Sequence, residues 1–297
     1  MDMEKKKLWA DIKRSKEGYL WIAPAFIIVS LATVFPLVFA FDYSLYESNI
    51  FQKVKFVGFG QYVKLMRDTR FWINIFNSLF FTIGGIILAL VAGFILALLI
   101  RKPGKLNSIY RTIILIPWVT NEVVLALMWT WVLNPQMSII YYWSDMLGIV
   151  LPNFFEGRIT PLITVTVLNA WRSLGFSLVM ILAALSAIPV ELEDAALVDG
   201  CSKLQRIWYV ILPLIRSVVL VMIIVLTMSF FNIVSFVLSM TGGGPIYTTE
   251  ILSIRLYKET FTFFNIPLSS ALTTVMLVIN LVFVFFYKKM ISEEDYY

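Results

Sequence analysis

Long apolar blocks separated by short polar connections dominate the chain. Six blocks, about 19–42, 73–100, 108–133, 161–187, 209–239 and 268–290, each have the length a helix needs to cross a hydrocarbon core about 30 Å thick. No stretch keeps the strict alternation over about ten residues that barrel strands require. The pattern predicts an all-α, polytopic membrane protein of six transmembrane helices: a 19–290 spanning domain between an N-terminal tail 1–18 and a C-terminal tail 291–297. The run Tyr19–Phe41 is too long for a signal-peptide core, contains Pro24 and Pro36 and lacks a small-x-small cleavage site, so it reads as an uncleaved first span. Gly84, Gly85 and Gly93 predict close helix packing within the bundle. The connection VGFGQYVKLMRDTRFWINIFNS reads as an interfacial helix along the membrane surface.

One interruption differs from the rest. The segment 188–208 holds Glu191, Glu193, Asp194 and Asp199 between two apolar blocks. Ile188 precedes Pro189 and so avoids helical geometry. From Glu191 to Leu197 the residues favour a helix, with acids in the first turn where they complement its dipole. Gly200 suits a helix C-terminus, and a second helical stretch starts near Ser202 and runs into the fifth block. The result is a helix, a glycine turn and a helix, with Leu192, Ala195, Ala196 and Val198 exposed beside the acids. An amphipathic connector would show the same pattern. The Ala195-Ala196 pair, which admits another surface closely, and the fixed turn favour docking into a groove of another protein.

Composition narrows the chemistry. The 297 residues are 60% hydrophobic and include one cysteine and no histidine. An internal disulfide, a Cys/His metal site and a histidine general base are therefore excluded. The net charge of +5 comes largely from short basic flanks, which bear on membrane orientation and not on nucleic acid. The tails and the connections around 101–111 and 203–206 carry fourteen Lys and Arg, against eight in the opposite set: Lys53, Lys55, Lys64, Arg67, Arg70, Arg158, Arg255 and Lys258. The richer set should be cytoplasmic, which puts both termini and 188–208 inside the cell.

At 188–213 the chain resembles the permease subunits of bacterial ABC importers. Their pattern E-A-A-x-x-x-G, nine residues and I-x-L-P reads here as Asp194-Ala195-Ala196, Gly200, then Val210, Leu212 and Pro213. Ile188-Pro189-x-Glu191-Leu192 and Asp199-Gly200 resemble the form found in sugar-importing permeases of the maltose-transporter type. So do Ile116-Pro117-Trp118 with Trp129 and Asn134-Pro135, Trp171-Arg172 with Gly175-Phe176, and Thr241-Gly242-Gly243-Gly244-Pro245. Asp194 stands where the motif has glutamate, Cys201 where it has alanine and Val210 where it has isoleucine.

The resemblance implies a type I ABC importer transmembrane domain in a prokaryotic cell membrane, importing an oligosaccharide or related glycoside. It implies a second homologous permease, two ATP-binding subunits that hold ATP and Mg, and an extracytoplasmic solute-binding protein. The implied ATPase-coupling residues are Glu191, Glu193, Asp194, Ala195, Ala196, Asp199 and Gly200. The chain has no G-x-x-x-x-G-K-[ST] phosphate loop, so ATP hydrolysis falls to a separate polypeptide and no cofactor is expected in this chain.

Other readings fit less well. A secondary transporter would carry several intramembrane acids or histidines and inverted repeats, whereas away from their ends the blocks hold Glu122, Arg172 and Arg216, the last toward the cytoplasmic end, and show no repeat. An intramembrane enzyme lacks its constellation. An ABC permease for another solute class, such as amino acids, remains an alternative. Glu122 and Arg172 fall at similar depths of the third and fourth blocks, where a lone charge costs about 2.5–3.5 kcal/mol. They form either a structural ion pair or, with Asn121, Asn169 and Trp171, part of a substrate path.

Overall fold

The computed structural model describes residues 16–49 and 52–292. Most of the two expected tails therefore lies outside the described residues. Helix α1 (Lys16–Ser44) opens the chain and packs along α13 (Ile266–Ser292). A hairpin of β1 (Tyr46–Asn49) and β2 (Gln52–Phe56) follows, antiparallel with Tyr46 opposite Phe56 and a register irregularity at Glu47/Ser48. Next come α2 (Gly60–Arg67) and the long α3 (Thr69–Ile100).

The expected interfacial helix is thus only the eight residues of α2, preceded by a hairpin that the sequence reading did not foresee. Asp68 separates α2 from α3: its side chain accepts a hydrogen bond from the Arg70 backbone N–H at 2.9 Å, so the second span starts at residue 69 instead of 73.

Among the described residues four helices are long and apolar enough to cross a membrane: α1, α3, α7 (Thr160–Ser186) and α13. The third and fifth blocks are broken. The third divides into α4 (Lys105–Val119) and α5 (Glu122–Val132), bent by 99° at Thr120-Asn121; the fifth contains α9 (Lys203–Leu214) and α10 (Arg216–Phe231), bent by 70°. If each bent pair crosses once, the spans number six. Local chemistry explains both breaks. Thr120 is extended and the Asn121 side chain caps the new helix, accepting from the Val123 and Val124 N–H groups. Pro213 lacks an N–H and crowds the preceding turn, and the chain accommodates it with a π-helical turn at Ile207–Ile211.

Short helices complete the chain: α6 (Ile139–Met146), α8 (Val190–Val198), α11 (Ser235–Thr241) and α12 (Leu252–Phe261). The end of the fifth block is thus α11, a separate helix.

The bundle is organised by α3 against α7. A β-carbon at Gly93 would lie 2.6 Å from Ser177 Cβ, and one at Gly85 would collide with the Phe230 ring. These glycines let the backbones approach closely, as small residues do in membrane bundles. Hydroxyls within the spans bond back to carbonyls one turn earlier, such as Thr166 to Leu162 at 2.6 Å and Thr227 to Ile223 at 2.7 Å. They are thereby satisfied without water. Among the described residues three apolar clusters fill the bundle, one around Phe81, Leu125, Phe230 and Phe236, one around Ala97, Leu178, Ile181, Ile211 and Met222, and one around Leu65, Phe71, Phe231 and Leu272.

Candidate functional site

Helix α8 carries the acidic interruption and ends at a well-determined turn. Gly200 has a left-handed φ of 79°, and the Cys201 N–H donates to the Ala196 carbonyl at 3.0 Å, closing the helix as a Schellman-type cap. Two residues on, Ser202 and Gln205 form a reciprocal capping box that starts α9. A helix stop and a helix start joined by one turn fix the angle between α8 and the fifth span.

Glu193 anchors this unit. Its carboxylate receives both Arg101 terminal nitrogens, at 2.5 and 3.2 Å, and lies 3.7 Å from Arg206 Nε. Arg101 sits immediately after α3, and Arg111 on α4 donates to the Ile100 and Arg101 carbonyls at 2.7 and 3.1 Å. One carboxylate therefore joins α8, the end of α3 and the start of α9. Glu191, Asp194, Ala195, Asp199 and Gly200 are exposed, together with Leu192, Leu197 and Val198. Glu193 and Ala196 are buried, against the expectation that all seven motif residues would be available for docking and that Ala196 would be exposed. The helical period accounts for this: positions three apart share a face, and here that face turns inward.

At the α4–α5 bend, Glu122 Oε2 lies 3.7 Å from Arg172 Nη2, an ion pair beyond direct hydrogen-bond reach. Arg172 Nε donates to Asn169 Oδ1 at 3.1 Å. Asn169 is fully buried and so orients Arg172 instead of facing an open path. The Asn121 side-chain Oδ1 is occupied as the α5 cap. Trp171 meets Trp129 edge-on, with ring centroids 5.3 Å apart. Trp129 Nε1 and Asn169 Nδ2 are buried donors without an acceptor among the described residues, an arrangement that typically costs about 1–3 kcal/mol per group. The bend thus combines a loose charge pair and aromatic faces with two enclosed donors, which suit ordered water.

Another polar cluster lies at the far end of α3. That helix has 32 residues, about 48 Å at ~1.5 Å per residue. Arg70 holds Glu250 through two hydrogen bonds of 2.7 and 2.8 Å, and Lys258 adds a third at 3.1 Å. Asn74 donates to the Glu250 carboxylate and carbonyl, Asn77 to the Tyr247 and Glu250 carbonyls, and Arg255 pairs with Asp68. Burial alone would push the Glu250 carboxyl up; the hydrogen bonds from Arg70, Asn74 and Lys258 and the Arg70 charge outweigh it and hold the carboxyl below its ordinary range. The network fixes the Gly242–Ile251 loop, where Ile246 and Tyr247 adopt positive φ.

A family profile described as "Binding-protein-dependent transport system inner membrane component" matches residues 85–291. The chain belongs to this family. It is a multi-pass membrane permease, a transporter subunit and not an enzyme. A probable ABC transporter permease protein of Pyrococcus horikoshii is 30% identical over 270 residues, covering 89% of this chain and 92% of its own length. The trehalose/maltose transport system permease protein MalF of Thermococcus litoralis is 28% identical, covering 93% and 94%. A crystal structure of a bacterial ABC transporter involved in the import of the acidic polysaccharide alginate contains a chain of the same fold. Its TM-score is 0.81 at 21% identity, over 96% of this permease and 98% of that chain.

The sequence of the permease carried two further signals. Asn74, Asn77 and Ser78 lie one turn apart at the start of α3, marking the polar face that meets Glu250. Thr120-Asn121-Glu122 is a helix start, with a capping side chain and then an acid in the first turn.

Proposed function

We propose that this permease imports a carbohydrate, an oligosaccharide or related glycoside, as one of two homologous permeases in a type I ABC importer. Of its two ATP-binding subunits, which hold the ATP and Mg, one docks on the exposed face of α8 through Glu191, Asp194, Ala195, Asp199 and Gly200. A solute-binding protein delivers substrate at the opposite end. Six crossings and cytoplasmic termini complete the arrangement.

The observation that carries the coupling role is the Glu193 clamp. An acidic, partly apolar helix held to two spans by buried charge can transmit a push from a docked subunit to the bundle, which a loose connector cannot. The carbohydrate assignment rests on relatives: the trehalose/maltose permease, and a sulfoquinovosyl glycerol permease of Agrobacterium fabrum that is 28% identical over 97% of this chain. Orientation rests on charge. Fourteen Lys and Arg flank the 188–208 end against eight at the other, the asymmetry that places the richer end inside the cell.

A phosphorylated polyol is a second reading, since an sn-glycerol-3-phosphate permease of Escherichia coli O157:H7 is also 28% identical over 89% of this chain. Thermal-shift screening of the cognate binding protein against di- and oligosaccharides and glycerol phosphates separates the two. Uptake in proteoliposomes that follows ATP hydrolysis and ignores proton and sodium gradients tests the transport class. Cys201, half-buried beside the turn, should react with impermeant maleimide in inside-out vesicles stripped of ATPase and not in spheroplasts. Reaction from outside overturns the orientation.

A further inference from the structure

Beside the coupling unit, on the bundle side of Glu193, a cleft of about 760 Å³ opens between the last turns of α3 and α7 and the start of α9. Its size falls within the ~300–1,000 Å³ of small-ligand sites. The lining has two chemistries. Leu98, Leu185, Ile188 and Ile211 form an apolar wall, continuous with Leu99, which is 70% exposed on a spanning helix. Arg101, Lys102, Lys203 and Arg206 form a cationic rim against a single acid, Glu193.

That acid is shared by Arg101 and Arg206. Among the described residues Lys102 and Lys203 have no carboxylate partner. Four cations and one carboxylate leave an excess of three positive charges around the opening. The next turn presents Trp208 and Tyr209, 63% and 77% exposed, the residue types that sit at headgroup level.

We propose that this cleft binds the phosphate of an anionic phospholipid, with Lys102 and Lys203 on the headgroup and an acyl chain along Leu98 and Leu99. A soluble anion would use the rim and leave the apolar wall unfilled. An acidic protein segment would use the rim without needing a wall continuous with the lipid-facing side of α3. A phospholipid satisfies both at the depth the aromatic pair marks, as basic pockets between spanning helices do for anionic lipids. Because Glu193 lines the cleft and holds α8, an occupant would also bear on the coupling helix.

The test uses the assembled transporter, delipidated in detergent, with native mass spectrometry to count bound lipid. Phosphatidylglycerol should bind the wild type at least tenfold more tightly than phosphatidylcholine. In the K102Q/K203Q double variant its affinity should fall by roughly thirtyfold, two surface cations each contributing about fivefold. That variant keeps Arg101, Glu193 and Arg206. A phosphatidylglycerol carrying a photoreactive acyl chain, used on the wild type alone, should label peptides containing Leu98–Leu99 or Ile207. Three results overturn the proposal: equal phosphatidylglycerol affinity in wild type and double variant, full competition by millimolar inorganic phosphate, or photolabelling that avoids these peptides.

Discussion

Glu193 and Arg101 lie 92 positions apart in sequence, yet a two-pronged ion pair with a 2.5 Å contact joins them. The acidic helix is thereby fixed to the end of the second span. Glu193→Gln should cost about 1–2 kcal/mol, a charge-assisted hydrogen bond discounted because Arg101 is one-third exposed. Arg101→Gln should cost about as much, and the double variant markedly less than the sum. Thermal unfolding of the three purified variants measures this. Stimulation of ATP hydrolysis by loaded binding protein should fall in each. Strict additivity would show that the clamp does not act as a pair.

The turn at Gly200 has open space around it, so in the permease by itself substitutions there act through the backbone alone. Gly200→Val should cost about 1–2 kcal/mol of left-handed strain, whereas Gly200→Asn, which tolerates that region, should be much milder. Co-purification of the ATPase should follow the same order. Asp194→Lys, on an exposed carboxylate, should weaken ATPase retention with little change in Tm.

Arg172 is the more buried partner of the intramembrane pair, with 13% of its side chain exposed against 31% for Glu122. Removing Glu122 strands that charge, whereas removing Arg172 leaves an acid nearer the opening. Glu122→Gln should therefore reduce expression more than Arg172→Gln, and the double variant should recover it. Uptake is then measured on the recovered double variant. Restored transport marks a structural pair, and stable protein with lost or altered uptake marks a substrate contact.

Glu250 makes the far-end network pH-sensitive. A carboxyl held below its unfolded value, near 4.5, contributes stability that is complete above that value and is lost as pH falls through the lower folded pKa. Tm should be flat through neutral pH and drop only in the acid range. Glu250→Gln should lower Tm at pH 7 and flatten the acid drop. An unchanged acid profile would assign the sensitivity to other carboxyls.

The 188–208 unit was legible because its determinants are local. Proline at its start, acids in the first turn, a glycine at the stop and serine three before glutamine act within a few residues of the chain. Membrane class followed equally from block length, since a helix of that length crosses the hydrocarbon with its backbone groups paired internally. The face of α8 that turns inward was not legible. Glu193 and Asp194 are adjacent carboxylates, and only Arg101 past the end of α3 and Arg206 on α9 distinguish them. The Arg70–Glu250 contact is equally nonlocal, joining residues 180 positions apart. The hairpin at 46–56 sets exposed residues along β2, so no buried face wrote an alternating pattern for it. The bend at Thr120-Asn121 carried a capping signal, but the apolar run on both sides made one straight span the simpler reading. Hydropathy and caps are properties of a segment and can be read from it. Which carboxylate meets which guanidinium depends on how distant segments pack, and that was decided only when the helices came together.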